Sequence, residues 1–245
     1  MLEFEDEAIV LNARAHGESG AIVHVLTETR GVFAAHVAGG ASRRLRAVLQ
    51  AGSAVLFRYR ARSFEQLGSA TLEPAHISAH RHDLLDDPVG LVGLQCACAM
   101  TQLVLPEREV HEGAFHGLKA FLGVLPHPTV WPAVYVRYEM GLLDALGFGL
   151  DLSACAVTGV RDQLVYVSPK SGRAVSLEAG APYKDKLLPL PQFLVSRGEL
   201  REGDVVAGLA LTGYFLERNV FHPHDKPLPE VRQRLIHSLG NARLV

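Results

Sequence analysis

The hydrophobic pattern of this chain changes its period once, at Pro88. Before Pro88, short apolar segments alternate with turns rich in glycine and serine, a pattern that indicates β-strands. Five such segments are predicted, at residues 8–12, 21–27, 32–37, 54–60 and 67–73. Five short strands within the first 80 residues predict a small closed barrel of the oligonucleotide/oligosaccharide-binding (OB) type, with an SH3-like barrel as the main alternative.

Beyond Pro88 the apolar residues recur every three to four positions, as they do on the buried face of a helix. Asp86 and Asp87 precede Pro88 and predict that a helix begins there. Further helices are predicted over about 109–125, from about 129 to Gly147, and around two later apolar stripes at 206–220 and 231–239. The sequence therefore predicts an α+β chain, with an OB-fold barrel in residues 1–80 and an all-helical domain in residues 81–245.

The composition is typical of a globular protein without disulfides. Of the 245 residues 48% are hydrophobic, which is enough to build a core. The three cysteines are Cys96, Cys98 and Cys155. So sparse and odd a set argues for a reducing compartment, and the acidic start of the chain lacks the basic region of a signal peptide. The most apolar run, 89–105, is too short and too polar to span a bilayer, so we expect a cytoplasmic protein with no membrane contact.

Six arginines lie between Gly39 and Gln66, a stretch whose first acidic residue is Glu65. They are Arg43, Arg44, Arg46, Arg58, Arg60 and Arg62. The first three fall in a segment that Gly39 and Gly40 predict to be a loop; the last three alternate with other residues and would share one face of a strand. Guanidinium groups bind phosphates through paired hydrogen bonds, so a basic loop beside a basic strand face predicts a groove for a polyanion.

Two observations limit that interpretation. An edge strand protected by its charges would show the same alternation. The net charge is −2, and residues 1–80 contain eight arginines and eight acidic residues, so any polyanion site is local. On the opposite face of the same strand, Tyr59 is expected to pack inward.

The sequence offers no catalytic motif. It has no GxxxxGK[ST] loop, which argues against ATP hydrolysis. Two clusters near the domain junction could be considered as metal sites: His76, His80 and His82, and Asp83, Asp86 and Asp87. The histidines lack a regular helical spacing, and acidic residues before a proline are more typical of a helix start. A nuclease would need acids close to the arginines, and residues 39–64 contain none, so we expect no enzymatic activity.

Residues 153–183 have the outline of a zinc ribbon, with two turns flanking a hairpin. The four ligand positions, at C-x2-C spacing, would be Cys155, Thr158, Ser176 and Ala179. A single thiolate with neutral hydroxyls cannot hold structural zinc, so we expect no bound metal. Packing of apolar side chains would then stabilise the hairpin, and the candidates are Val157, Leu164, Tyr166, Val167, Val175 and Leu177.

Four stretches, in order along nearly the whole chain, resemble the RecO family of bacterial recombination mediators. They are HGESGAIVHVLTE at 16–28, VAGGASRRLRAVLQAG at 37–52, the helix and turn at 135–155, and SPKSG at 168–172. The resemblance implies an N-terminal OB barrel followed by a helical domain with an embedded ribbon. Many family members carry four cysteines in the ribbon, whereas this chain keeps only Cys155.

The resemblance also implies a function in DNA repair and recombination. A RecO-like protein would bind single- and double-stranded DNA and anneal complementary strands. With RecR it would help load RecA onto DNA coated with single-stranded-DNA-binding protein (SSB), whose C-terminal tail it would contact. The six arginines would be the DNA-binding residues, with a second possible location around Arg218, Lys226, Arg232 and Arg234. The alternative is an adaptor that binds RecR and SSB with little direct DNA contact.

Overall fold

The computed structural model describes residues 1–63, 66–75, 87–195 and 200–241. It contains two compact units, Met1–Pro126 and His127–Val245. The domain boundary predicted at residue 80 lies outside the described residues. So do five residues weighed as metal ligands, namely His76, His80, His82, Asp83 and Asp86.

The first unit is built on a five-stranded barrel. Its strands are β1 (Leu2–His16), β2 (Gly20–Thr27), β3 (Gly31–Val37), β4 (Ala54–Ala61) and β5 (Gly68–Pro74). They close in the order β1-β2-β3-β5-β4, with β4 paired back onto β1. β3 and β5 run parallel and the other neighbours antiparallel. The barrel predicted from the strand pattern is confirmed.

Aromatic side chains fill a large part of the barrel interior. Phe4, Phe33, Phe57 and Tyr59 contact one another with ring centroids 5.0–6.1 Å apart. Tyr59 is 1% exposed, which confirms that it packs inward. The end of its ring lies against Gly68, where any larger residue would collide with it. Gly68 therefore allows β5 to approach this aromatic cluster closely.

A short helix, α1 (Arg43–Val48), lies between β3 and β4, where the sequence predicted a loop. That prediction was wrong. The Ser42 side chain accepts a hydrogen bond from the Leu45 amide and so caps the helix N-terminus. Leu45 and Val48, three positions apart and on one face, pack against the barrel core. Six residues are too few to show a helical period, so the sequence pattern predicted a loop from Gly39 and Gly40.

Two longer helices complete the first unit, α2 (Pro88–Val104) and α3 (Glu112–Val124). The Asp87 carboxylate accepts a hydrogen bond from the Gly90 amide at 2.9 Å, so the helix start predicted at Pro88 is confirmed. The Cys98 thiol lies 3.9 Å from the Val10 carbonyl oxygen of β1, and Cys96 is also buried. These contacts attach α2 to the outside of the barrel.

The second unit is mainly helical. It contains α4 (Trp131–Ala145), α5 (Leu177–Gly180), α6 (Asp204–Leu216) and α7 (Glu230–Asn241), with a small sheet of β6 (Leu164–Val167), β7 (Ala174–Ser176) and β8 (Leu188–Pro189). The sheet order is β7-β6-β8, so the predicted hairpin is present. In the parts of the chain that the structure describes, no helix has the length and apolar character needed to cross a membrane.

A buried ion pair joins α4 to α7 in the second unit. Glu139 is fully buried and Arg232 is 3% exposed. Arg232 donates from Nε and Nη2 to the two Glu139 carboxylate oxygens at 2.7 and 2.8 Å, and from Nη2 to the Leu209 carbonyl at 2.6 Å. The hydroxyls of Tyr135 and Thr212 donate to the same carboxylate. Each oxygen of the Glu139 carboxylate thus accepts two hydrogen bonds, as burial of a charge requires.

Candidate nucleic-acid interface

The six predicted DNA-binding arginines occupy three different environments in the first unit. Arg43, Arg44 and Arg46, called here the α1 arginines, lie on the helix that packs against the barrel core. Arg58 and Arg60, the strand arginines, lie on β4. Arg62 follows the end of β4 and is exposed. The basic stretch is thus contiguous in sequence but divided in space between a helix and a strand.

The α1 arginines point away from the barrel. All three are exposed, whereas Leu45 and Val48 between and after them turn toward the core. Within the described residues, none of the α1 arginines forms an ion pair with a carboxylate. One face of α1 is thus anchored to the barrel by apolar contacts. The other face presents three guanidinium groups within about one and a half helical turns.

The turn before α1 holds the helix beside the β1–β2 connection. The Ala41 amide donates to the Ser19 carbonyl at 3.0 Å, and the Gly40 amide donates to the Val37 carbonyl at 3.2 Å. Gly39, with a φ of 68°, provides the left-handed residue of this turn. The α1 arginines are therefore carried by a helix that is fixed at its N-terminal end as well as on its apolar face.

The strand arginines are engaged by acidic residues of neighbouring strands. Arg58 donates to Glu5 of β1 from Nε and to Glu73 of β5 from Nη1, the latter at 2.5 Å. Arg60 donates from Nη2 to Glu3 of β1 at 2.8 Å. Strand register places each pair in position, because Glu5 lies opposite Arg58 and Glu3 opposite Arg60.

These ion pairs alter the electrostatics of the face. The hydrogen bonds that Arg58 donates to Glu5 and to Glu73, the one to Glu5 first, raise the pKa of Arg58, and the hydrogen bond that Arg60 donates to Glu3 raises the pKa of Arg60. Two guanidinium groups face three carboxylates, which leaves one net negative charge on this part of the barrel. A face of this composition attracts a polyanion far less than the arginines alone would.

The sequence analysis missed the β1 carboxylates because they are distant along the chain. Glu5 is 53 residues from Arg58, and Glu3 is 57 residues from Arg60. A signal was nevertheless present. Glu3, Glu5 and Glu7 alternate at period two, as the strand arginines do, so the two runs would match if β1 and β4 paired. The third acid, Glu7, pairs with Lys119 of α3 at 3.0 Å.

The second possible DNA-binding location is altered by the structure. Arg232 is buried and paired with Glu139, so it is not available to a phosphate. Arg218 donates to the Pro169 carbonyl oxygen. Lys226 and Arg234 remain exposed. Of the four cations considered at that location, Arg218 is exposed as well, and Arg232 is the one that its burial removes from contact with DNA.

The ribbon positions come together in the second unit around one sulfur. Cys155 is 1% exposed, and its sulfur accepts hydrogen bonds from the Ser176 amide at 3.3 Å and the Ser176 hydroxyl at 3.4 Å. Burial raises the pKa of the Cys155 thiol, but hydrogen bonds from Ser176 and Thr158 outweigh burial and lower the pKa to about 6. Ala179, the fourth position, has no donor atom for a metal. The donor set does not fit zinc, because two hydroxyls occupy positions where thiolates are required.

The predicted packing of the hairpin is correct only in part. Leu164, Val167 and Val175 are buried, whereas Val157 and Leu177 are 73% and 49% exposed. These two were wrongly assigned to the hairpin core. They lie next to Thr158 and Ser176, two of the four ribbon positions. The turn at Thr158 is held by a backbone hydrogen bond, which the Gly159 amide donates to the Cys155 carbonyl at 2.9 Å.

We expect purified, untagged protein to contain no stoichiometric zinc, as elemental analysis would show. The combined substitutions Thr158→Cys, Ser176→Cys and Ala179→Cys should convert the ribbon to a site that holds one zinc per chain, because Thr158 and Ser176 already contact the Cys155 sulfur. Adding Cys155→Ser to that variant should weaken zinc binding. One zinc per chain in the unmodified protein would contradict the prediction.

Comparison with known proteins gives one family over most of the chain. The family model described as "Recombination protein O N terminal" matches residues 1–76, and the model described as "Recombination protein O C terminal" matches residues 85–227. A protein of Caulobacter sp. (strain K31) named "DNA repair protein RecO" is 58% identical over 242 residues, covering 98% of this chain and 99% of the relative. Proteins of the same name from Phenylobacterium zucineum and Rhodospirillum centenum are 59% and 48% identical, over 98% and 96% of this chain and 99% and 94% of their own lengths.

Proposed function

Since the chain belongs to the RecO family and thus has a role in DNA repair and recombination, we propose that it acts by binding single- and double-stranded DNA directly. The α1 arginines would make the main contacts, with Arg62 as a fourth. The observation that carries the proposal is that three exposed guanidinium groups without carboxylate partners among the described residues stand on a helix fixed to an OB-type barrel.

The chemistry of the α1 arginines suits a phosphate backbone. An exposed guanidinium without an ion-pair partner can donate to a phosphate without first breaking another contact. Contacts of this kind neutralise phosphates and release counterions, and they do not read bases. We therefore propose binding without base preference, which suits a protein that anneals strands of any sequence.

The proposal includes partners and excludes catalysis. By its family, the protein would anneal complementary strands and work with RecR. It would contact the C-terminal tail of SSB and so help to load RecA in the cytoplasm. It would do so as a mediator without chemistry of its own.

An adaptor that binds RecR and SSB with little direct DNA contact is the second candidate. The ion pairs of Arg58 and Arg60 favour it, because they remove two of the six predicted phosphate contacts and leave that face slightly negative. The two candidates differ in one measurable property, the salt dependence of DNA binding by the isolated protein.

We expect the purified protein to bind a fluorescent single-stranded oligonucleotide with an affinity that falls steeply as salt rises. Four arginines without a carboxylate partner among the described residues, at roughly 0.7 each for single strands, give a log–log slope of about −3. The slope would be about −4 if the strand arginines also engaged. Fluorescence anisotropy over a salt series, with oligonucleotides of two unrelated sequences, tests both the slope and the lack of base preference. No binding at low salt would leave the adaptor as the function.

A further inference from the structure

We infer that Glu3, Glu5 and Glu73 limit the DNA path on the barrel by occupying Arg58 and Arg60, so that these carboxylates set the affinity of the protein for DNA. The inference rests on the proposed function, since it concerns the same ligand. These three residues are acidic and repel DNA, yet the inference gives them a role in DNA binding. We call them the partner carboxylates.

The geometry of the face shows that the guanidinium groups are taken. Arg58 donates to two carboxylates from different nitrogens, on β1 and on β5, and thus bridges three adjacent strands. Arg60 is held by Glu3. Two nitrogens of Arg58 and one of Arg60, which could otherwise meet a phosphate, are thereby directed at carboxylates instead.

The surroundings of the pairs would otherwise suit a nucleic-acid strand. A cleft of about 590 Å³ crosses β1, β4 and β5, and both strand arginines line it together with the hydroxyl residues Ser69 and Thr71. Those hydroxyl residues lie opposite the arginines in the strand register, Thr71 beside Arg58 and Ser69 beside Arg60. Without the partner carboxylates this cleft would present two cations and two hydroxyl groups, of which that of Ser69 donates to the Arg60 carbonyl at 3.5 Å; cations beside hydroxyl groups are the usual chemistry of a phosphate-binding face.

The pairs are exposed, which makes them replaceable. The arginine and carboxylate side chains of all three ion pairs are each about half exposed to solvent. Exposed pairs contribute little to folding, so their removal should leave the barrel intact. What they change is the local charge, because each carboxylate both engages a guanidinium and repels a phosphate.

The test compares the full-length protein with a variant carrying Glu3→Gln, Glu5→Gln and Glu73→Gln. Two freed arginines should steepen the log–log salt slope for single-stranded DNA by roughly 1.4, and the affinity at about 50 mM salt should rise on the order of tenfold or more. Adding Arg58→Gln and Arg60→Gln to this variant should abolish the gain in slope, while the same two substitutions in the unmodified protein should leave the slope unchanged, because there the two arginines make no phosphate contact.

A matched control separates this specific effect from a change in net charge. Glu112→Gln, Glu178→Gln and Glu202→Gln together remove three exposed carboxylates that pair with none of the six arginines in the described structure. If the control variant gains as much affinity as the triple Gln variant, the inference is overturned. The single substitution Glu3→Gln frees only Arg60 and should give about half the change in slope. It tests the inference independently if the triple variant unfolds.

The outcomes also separate this inference from the proposed function. Binding by the unmodified protein with no gain in the carboxylate variant would overturn the inference alone. Binding only after the carboxylates are removed would support the inference and contradict direct DNA contact by the natural protein. Absence of binding by both proteins would contradict both.

Discussion

Reversing the α1 arginines, with Arg43→Glu, Arg44→Glu and Arg46→Glu, is expected to weaken binding of single-stranded DNA on the order of a hundredfold or more at about 50 mM salt. Three lost phosphate contacts account for a change of roughly 2 in the log–log salt slope, and three new negative charges add repulsion. Annealing of complementary strands should fall in parallel. Fluorescence anisotropy and an annealing assay measure the two effects.

The fold should survive this reversal. The arginines point away from the core, and Leu45 and Val48, which attach α1 to the barrel, are untouched. Exposed charges contribute little to stability, and a glutamate in the first helical turn interacts favourably with the helix dipole. Circular dichroism should therefore match that of the unmodified protein.

A control with the same change in charge is Arg161→Glu, Lys184→Glu and Lys186→Glu, three exposed cations near the ribbon. It should retain most of the DNA affinity. A folded α1 variant that anneals as well as the unmodified protein would move the DNA site away from α1. Arg218, Lys226 and Arg234 would then be the next residues to test, because they are exposed whereas Arg232 is buried.

Replacing Arg232 with methionine is expected to lower the free energy of unfolding by about 3–5 kcal/mol, because removal of one member of a buried ion pair leaves the other charge uncompensated. Glu139 has no exposure to water and would lose two of its donors. The Leu209 carbonyl would lose its Arg232 donor as well. Urea unfolding followed by circular dichroism measures the difference.

The neighbouring residue Arg234 provides the matched control. It lies two positions further along α7 and is exposed, so Arg234→Met should change the free energy of unfolding by less than about 0.5 kcal/mol. Adding Glu139→Gln to Arg232→Met should recover part of the loss, since a neutral amide costs less to bury than an unpaired carboxylate. Equal effects of the Arg232 and Arg234 substitutions would show that the ion pair does not stabilise the second unit.

The parts of the fold that sequence predicted well are those with local signals. The barrel strands are short apolar segments bounded by turn residues, and the start of α2 is marked by Asp87 and Pro88, so these elements follow from residues close together in the chain. The inward position of Tyr59 follows from the alternation of residues along β4. The family was identified from stretches in which several such signals recur in order.

The candidate site was harder to predict because its electrostatics depend on residues far apart in sequence. Six arginines in one segment predicted one basic groove, but strand pairing brings Glu3, Glu5 and Glu73 against two of them. Arg232 shows the same difficulty: it lies on the apolar face of α7 with Leu235 and Leu239, but the carboxylate that compensates it, Glu139, is 93 residues away on α4. Charge compensation is a tertiary property, which a local pattern does not contain.

The acidic half of β1 also has a consequence for the chain while it is being synthesised. The first residues of β1 pair with β4, and Glu5 and Arg58 are 53 positions apart, so this half of the strand emerges from the ribosome well before its partner exists. During that interval its backbone is an open edge onto which another chain could add a strand. Glu3, Glu5 and Glu7, repeated at every second position, make two nascent copies repel each other. Glu3 and Glu5, which pair with the arginines of β4 in the finished barrel, would thus also protect the unfinished barrel from aggregation.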